Sequence, residues 1–213
     1  MASDPYLYPG TKTLINNFEV KDPDKLSVLE NKIFHIAFLQ PLPLGNFDLE
    51  HLRHIHKHFF EKVYPWAGEI RIIDIAKENS YFAHHAFIEP YADKIFSKLK
   101  HEDFSDPLTV PEKLAKYFNE INAIHPFREG NGRTQRAFIS KFAQSKNYVL
   151  SWENVANNAY LQASIEGFKG NDKPMVDVFK EALQPIKINQ YQEIKTQQNN
   201  VKAIADKLNQ IER

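Results

Sequence analysis

The chain has 213 residues, 42% hydrophobic and 13% aromatic, which is enough apolar side chain for a buried core and excludes a disordered chain. Lys plus Arg and Asp plus Glu both number 27, so the formal charge is zero; a nucleic-acid coat and a polybasic membrane anchor are excluded, and any anion site must be local. The absence of Cys removes disulfides, Cys-ligated zinc, iron–sulfur clusters and thiol nucleophiles together.

Against a prior of roughly 150 residues per domain, the length predicts one domain with an extension. We divide it as a domain over 1–186 and a polar helical tail or linker over 187–213. Met1 to Pro5 lacks the basic stretch and apolar run of a secretory signal, and no later run is long enough to span a bilayer. The expected compartment is the cytosol, with translocation into a recipient cell left open.

Asp22-Pro23-Asp24 reads as an N-cap followed by Pro at the first helical position, with Leu26, Leu29, Ile33 and Ala37 at helical spacing. Pro41 to Pro43 stops that helix. Asp48 caps a second one carrying Leu49, Leu52, Ile55, Phe59 and Val63 on one face. Arg71 to Ile75 is a β-branched run of strand length, followed by polar Lys77 to Ser80 and then Tyr81 to Ala83, which predicts a short hairpin over 72–82. With no further strand in the reading, this hairpin must lie on helices and present an unpaired edge. Pro90 and Pro111 open two more helices, the second with Leu114, Phe118, Ile121 and Ile124 facing inward. Everything afterwards reads as helical: Arg133 to Tyr148, Trp152 to Ile165 and Pro174 to Leu183. A tail that stays polar and helical to Arg213 suggests a longer natural chain.

The chemistry is concentrated in His125-Pro126-Phe127-Arg128-Glu129-Gly130-Asn131-Gly132-Arg133-Thr134-Gln135-Arg136, a loop between two amphipathic helices that feeds a helix N-terminus. The first N–H groups of a helix are unsatisfied and partially positive, which makes such a start an anion binder. Gly130 and Gly132, two of only 7 glycines, let the backbone approach an anion and take conformations closed to other residues. Arg133 and Arg136 share a helix face and can both reach phosphate oxygens. Glu129 is the carboxylate placed to hold a Mg²⁺ that bridges phosphates. Histidine is the side chain type that ordinarily titrates near neutrality, so His125 is the residue here suited to take a proton from an attacking hydroxyl. No Lys-Ser/Thr follows the glycines, so this is not a Walker A loop, and no strand precedes it as a dinucleotide fingerprint requires.

This segment resembles the complete active-site motif of Fic-domain proteins. Asp4 to Gly10 and Val63 to Arg71 resemble bacterial members too, so the resemblance covers about Asp4 to Leu183. It implies an all-α domain with a small β-hairpin flap over the active site, transferring AMP from ATP to a Ser, Thr or Tyr hydroxyl of a target protein. By the resemblance, His125 is the general base, Phe127 a loop anchor and Glu129 the Mg²⁺ ligand. Nucleotide binding is assigned to Arg128, Gly130, Asn131, Gly132, Arg133 and Arg136, with Lys77 and Glu78 at the flap tip. Relatives that transfer phosphate carry Lys at the second glycine, so Gly132 favours adenylyl transfer. Targets are expected to dock on the flap by strand pairing.

Many Fic enzymes carry an inhibitory helix with Ser or Thr four residues before a Glu that pairs with the second motif Arg. No Ser or Thr here has Glu at that spacing, so the expectation is a toxin or effector whose Arg136 is engaged by a separate small antitoxin. The alternatives are a non-catalytic nucleotide-binding module and transfer of another nucleotide such as UMP. No direct nucleic-acid or membrane partner is expected. His51, His54 and His58 are read as a solvated face rather than a zinc site. Asn157, Asn158 and Tyr160 are read as a surface helix in preference to an adenine border, and His84 and His85, which follow the flap, are read as contacting either a target or nothing.

Overall fold

The computed structural model describes residues 4–77 and 80–185. Among them are seven α-helices and two two-stranded antiparallel sheets. The expectations for Glu78 and for the tail over 187–213 lie outside the described residues. No described helix is long and apolar enough to cross a membrane.

Local chemistry sets most helix starts. The Asp22 carboxylate accepts from the N–H groups of Asp24 and Lys25, and Pro23 opens α1 (Pro23–Phe38). Asp48 likewise accepts from the His51 N–H at the start of α2 (Leu49–Phe60). α3 (Ile88–His101) and α4 (Val110–Ile124) follow, the latter with Pro111 in its first turn. α4 is the central element and packs against α3, α5 (Asn131–Ser145), α6 (Asn157–Phe168) and α7 (Lys173–Ala182). It buries Leu114, Ala115, Tyr117, Phe118, Ile121 and Ile124, so little of its surface is left to solvent. Each such aliphatic or aromatic side chain contributes about 1.5–3 kcal/mol on burial. α4 is therefore the fixed post from which the loop beginning at His125 departs.

The hairpin is shorter than its sequence implies. Only Ala76–Lys77 (β1) and Ser80–Tyr81 (β2) pair, in register Ala76 with Tyr81. The run Arg71 to Ile75 is not a strand, because its first residue is spent elsewhere. The Arg71 N–H donates to the Pro126 carbonyl at 2.9 Å, and the Arg71 side chain is fully buried. The reading of everything after the motif as helical is corrected as well. Tyr148–Leu150 (β3) pairs with Leu183–Pro185 (β4), and three residues are too few for alternation to show in a sequence.

The histidines of α2 depart from the solvated-face expectation. His51 is 1% exposed, enclosed by the rings of Phe47 and Phe138, and its Nε2 lies 3.0 Å from the Pro43 carbonyl. His54 is exposed beside Glu50, as the sequence implied.

Candidate active site

α4 ends at His125, whose backbone is left-handed (φ 43°), and α5 starts after Gly130, left-handed as well (φ 81°). Between them the loop carbonyls are claimed one after another. The Arg71 guanidinium donates to the carbonyls of His125 (2.8 Å), Ile124 (3.2 Å), Ile73 and Ala83. Pro126 accepts the Arg71 N–H. The Asn131 side chain closes the loop on itself: its Oδ1 accepts from the Phe127 N–H at 2.9 Å, and its Nδ2 donates to the Phe127 carbonyl at 2.7 Å. His56 reaches across from α2 to the Glu129 carbonyl at 2.9 Å. With the carbonyls tied back, the polar groups that α5 offers at its start are N–H groups, and no side chain caps that start.

His56 performs this support as a neutral ring. Burial pushes its pKa down to about 3, and its Nδ1 accepts from the Gly68 N–H at 2.8 Å. The proton is therefore on Nε2, where it meets the Glu129 carbonyl. The ring stacks on Phe127 at 3.9 Å, which accounts for the Phe127 anchor.

The two glycines have different reasons to be glycine. At Gly130 a Cβ would stand 2.4 Å from the Phe60 ring in a left-handed backbone. Gly132 has no positive φ, and a Cβ there would meet only the Tyr160 hydroxyl at 3.7 Å. The idea that Gly132 needs an unusual backbone is therefore corrected: nothing in the chain demands glycine there, and the space above it is open for a ligand.

His125 stacks on Phe82 (3.8 Å, 17°) at the end of the flap, with its Nδ1 3.3 Å from the Asn122 carbonyl. A proton on Nδ1 suits that carbonyl and leaves the lone pair of the neutral ring on Nε2. Arg136 lies over the Tyr160 ring at 4.9 Å, and among the described residues no carboxylate forms an ion pair with it. Tyr160 packs onto Phe118 and Trp152 and stands beside Gly132, so it belongs to the site floor rather than to a surface helix. Burial raises its phenol pKa.

Other motif residues have partners that sequence reasoning did not anticipate. Arg128 pairs with Asp4 at 2.8 Å. Arg133 donates to Glu30 Oε1 at 2.5 Å and lies over the rings of Phe34 and Phe60, while the other Glu30 oxygen accepts from the Tyr64 hydroxyl. Glu30, Tyr64, Glu129 and Arg133 line a cavity of about 420 Å³ shared with the N-terminal segment and α1. Glu129 is half exposed, its Oε1 accepts from the Gly130 N–H at 2.8 Å, and Arg133 lies 3.7 Å away. A single hard carboxylate held beside an anion cradle fits Mg²⁺, which takes one or two carboxylates plus substrate oxygens. Lys77 places its backbone in β1 at the flap.

This architecture and motif meet in a known family. Residues 46–143 match the family described as Fic/DOC. The chain is 38% identical over 178 residues to the Probable protein adenylyltransferase y4lH of Sinorhizobium fredii, covering 82% of this chain and 93% of that protein. It is 38% identical over 197 residues to Protein adenylyltransferase VbhT of Bartonella schoenbuchensis, covering 88% of this chain and 41% of that protein; the chain thus spans about two fifths of VbhT. Among solved structures, the BepC protein of Bartonella tribocorum with bound AMPPNP superposes with a TM-score of 0.80 at 28% identity, covering 85% of this chain and 97% of that one. A Fic domain of a Bartonella quintana effector with bound ADP gives the same score and identity over 95% of its length. The chain belongs to the Fic/DOC family. Its all-α fold with a small β-hairpin flap is the one that family shares.

Proposed function

We infer that this chain is a protein adenylyltransferase that moves AMP from ATP to a Ser, Thr or Tyr hydroxyl of a target protein. The observation that carries the reading is the loop from His125 to Arg136, in which the carbonyls of His125, Phe127 and Glu129 are tied back between a histidine at the end of α4 and an α5 start that no side chain caps. Relatives named as adenylyltransferases and a neighbour holding AMPPNP support it.

In this reading the first-turn N–H groups of α5 and the open space at Gly132 receive the phosphates, and Arg136 and Arg133 meet the outer ones. Glu129 would hold Mg²⁺, which would supply positive charge to offset that of the phosphates. His125 Nε2 takes the hydroxyl proton as the target oxygen attacks the α-phosphorus; the bond to the β-phosphate oxygen breaks and pyrophosphate leaves with that electron pair. The Phe82 stack and the Asn122 carbonyl hold the ring in the tautomer this step needs. Lys77, Glu78 and Arg128 complete the nucleotide assignment as proposals, Arg128 through its pairing with Asp4 at the loop.

The target is assigned to the flap over 72–82, whose Ile72 and Tyr81 are strongly exposed. A separate antitoxin supplying a carboxylate to Arg136 is part of the same reading, as is a catalytic domain over 1–186. Incubation of the chain with α-labelled ATP, UTP and GTP, Mg²⁺ and a cell lysate tests it. Transfer of label from ATP by the native chain and none by His125→Ala is the expected result. Equal labelling by the variant overturns the base assignment, and preferential labelling from UTP or GTP overturns adenylyl transfer.

A further inference from the structure

The flap is closed at its open end by three side chains that the reaction does not use. Asp74 precedes β1 by two residues, and His84 and His85 follow β2 by three and four. Their donor atoms all lie within 4.8 Å of one another. Asp74 Oδ1 is 2.9 Å from His85 Nδ1, and Asp74 Oδ2 is 3.2 Å from His84 Nε2. The two imidazoles stack at 4.5 Å and 28°, which turns both nitrogens toward one carboxylate.

We propose that Asp74, His84 and His85 form a binding site for one transition-metal dication of the zinc class at the base of the flap. Two imidazole nitrogens and one carboxylate oxygen are the donors that zinc, cobalt and nickel prefer, whereas magnesium and calcium seek oxygen alone. A tetrahedral zinc with bonds of about 2.0–2.1 Å sets its donors roughly 3.3 Å apart. The His84 nitrogen is already 3.2 Å from Asp74 Oδ2, and the three donor atoms all lie within 4.8 Å of one another, so closing on an ion takes side-chain rotation with no movement of the backbone. The fourth position is left to water, since the Asp74 and His84 side chains are half exposed.

The protons and partners can be followed. Both rings must be neutral with their lone pairs on His84 Nε2 and His85 Nδ1, so any imidazolium releases its proton on binding. His84 Nδ1 then carries a proton and gives up the weak 3.3 Å contact from the Ala86 N–H. The His85 N–H continues to donate to Asp74 Oδ1 at 2.8 Å, which orients the carboxylate without occupying Oδ2. Arg71 Nη1 lies 3.9 Å from Oδ1, and its charge opposes the incoming dication.

The ligands come from both legs of the hairpin, so the ion acts as a staple. Ile73 and Ala83, each the residue immediately before a ligand in the chain, carry two of the carbonyls that Arg71 holds. A metal here would fix the pair of legs whose ladder is only two residue pairs long. The inference stands on the geometry of this cluster and holds whether or not the chain transfers AMP.

Titration of the purified chain with Co²⁺, read by visible d–d absorption and followed by Zn²⁺ displacement and calorimetry, tests the site. One ion per chain with a roughly micromolar or tighter Kd is expected. Asp74→Asn, His84→Ala and His85→Ala should each weaken it about tenfold or more, while His54→Ala and His58→Ala on α2 leave it unchanged. The three flap-base side chains are exposed or half-buried, and far-UV circular dichroism checks that the variants fold. Binding only at millimolar metal, or binding that the three variants do not alter, means an adventitious ion only and overturns the proposal. Hydrogen exchange over 72–84 should slow with Zn²⁺ in the native chain and not in His84→Ala; exchange that ignores Zn²⁺ in both overturns the staple.

Discussion

The Arg71 Nε donates to the backbone carbonyl of His125 at 2.8 Å, tying a residue before the flap to the backbone of the proposed catalytic base. The same guanidinium holds Ile73 and Ala83, one on each leg of the flap, and Ile124 at the end of α4. Burial disfavours its charge and lowers its pKa, with the Asp74 carboxylate opposing that shift. One planar fork thus sets the flap, the base and the phosphate loop in a common frame.

Removing this fork leaves buried carbonyls unpaired. Arg71→Met should cost about 3–5 kcal/mol, since each orphaned acceptor loses about 1–3 kcal/mol and the pairs are not additive. Arg71→Lys keeps the charge but cannot span four carbonyls, so an intermediate loss is expected, with label transfer reduced more than ATP binding. Urea unfolding and equilibrium nucleotide binding of both variants measure this; a Lys variant equal to the native chain in both would refute the fork.

Gly130 and Gly132 should separate cleanly. Gly130→Ala places a Cβ in the Phe60 ring on a left-handed backbone, and a stability loss of about 3 kcal/mol is expected from strain and overpacking together. Gly132→Ala sits in the first turn of α5 with room around it, so stability should hold or rise by up to about 1 kcal/mol. Its methyl group nevertheless occupies the space assigned to phosphate, and ATP affinity should fall by about tenfold or more. Thermal unfolding paired with calorimetric ATP titration distinguishes them. Unchanged ATP affinity in Gly132→Ala would remove that position from the cradle.

Arg133 is held by Glu30 and by the faces of Phe34 and Phe60 before any nucleotide arrives. Its charge is about one-fifth exposed and Glu30 less so, which puts the pair between a surface bridge and a buried one. Glu30→Ala should destabilise the chain by about 1–3 kcal/mol, because it leaves both Arg133 and the Tyr64 hydroxyl without their carboxylate. Tyr64→Phe should lose less, since the ion pair survives. A double-mutant cycle over Glu30 and Tyr64 reads their coupling, and additive losses would mean that Glu30 does not join them.

The parts of the molecule that were legible beforehand are those decided by neighbours in sequence. Asp22, Asp48 and Pro111 announce helix starts because a cap acts over two or three residues. The 125–136 segment was legible because its base, carboxylate, glycines and arginines lie within one loop and one helical turn. The supports were not legible. Arg71 and His125 are 54 residues apart, His56 and Glu129 73, Glu30 and Arg133 103, and Asp4 and Arg128 124. Such pairs depend on how α1, α2 and the N-terminal segment close over the loop, which no periodicity reports. His51 is a different case: it stands four residues before Ile55 on the same helix face, so periodicity alone places it inward, and the Phe47 turn and Phe138 of α5 complete its enclosure.

His56 gives stability a pH dependence of definite sign. In the unfolded chain its ring protonates near the ordinary 6.5, whereas burial keeps the folded ring neutral until about 3. Between those values the unfolded state binds more protons, so the contribution is fully present above about pH 6.5 and is lost as pH falls, by up to about 1.4 kcal/mol per pH unit. At pH 5 the loss from this residue is about 2 kcal/mol. His51, also lowered by burial, acts in the same direction. His56→Gln keeps a donor toward the Glu129 carbonyl but cannot titrate. The variant should be less stable at pH 7.5, and its urea midpoint should fall less steeply toward pH 5 than that of the native chain. Parallel midpoint-against-pH curves for the two proteins would show that His56 is not the neutral buried ring on which the phosphate loop rests.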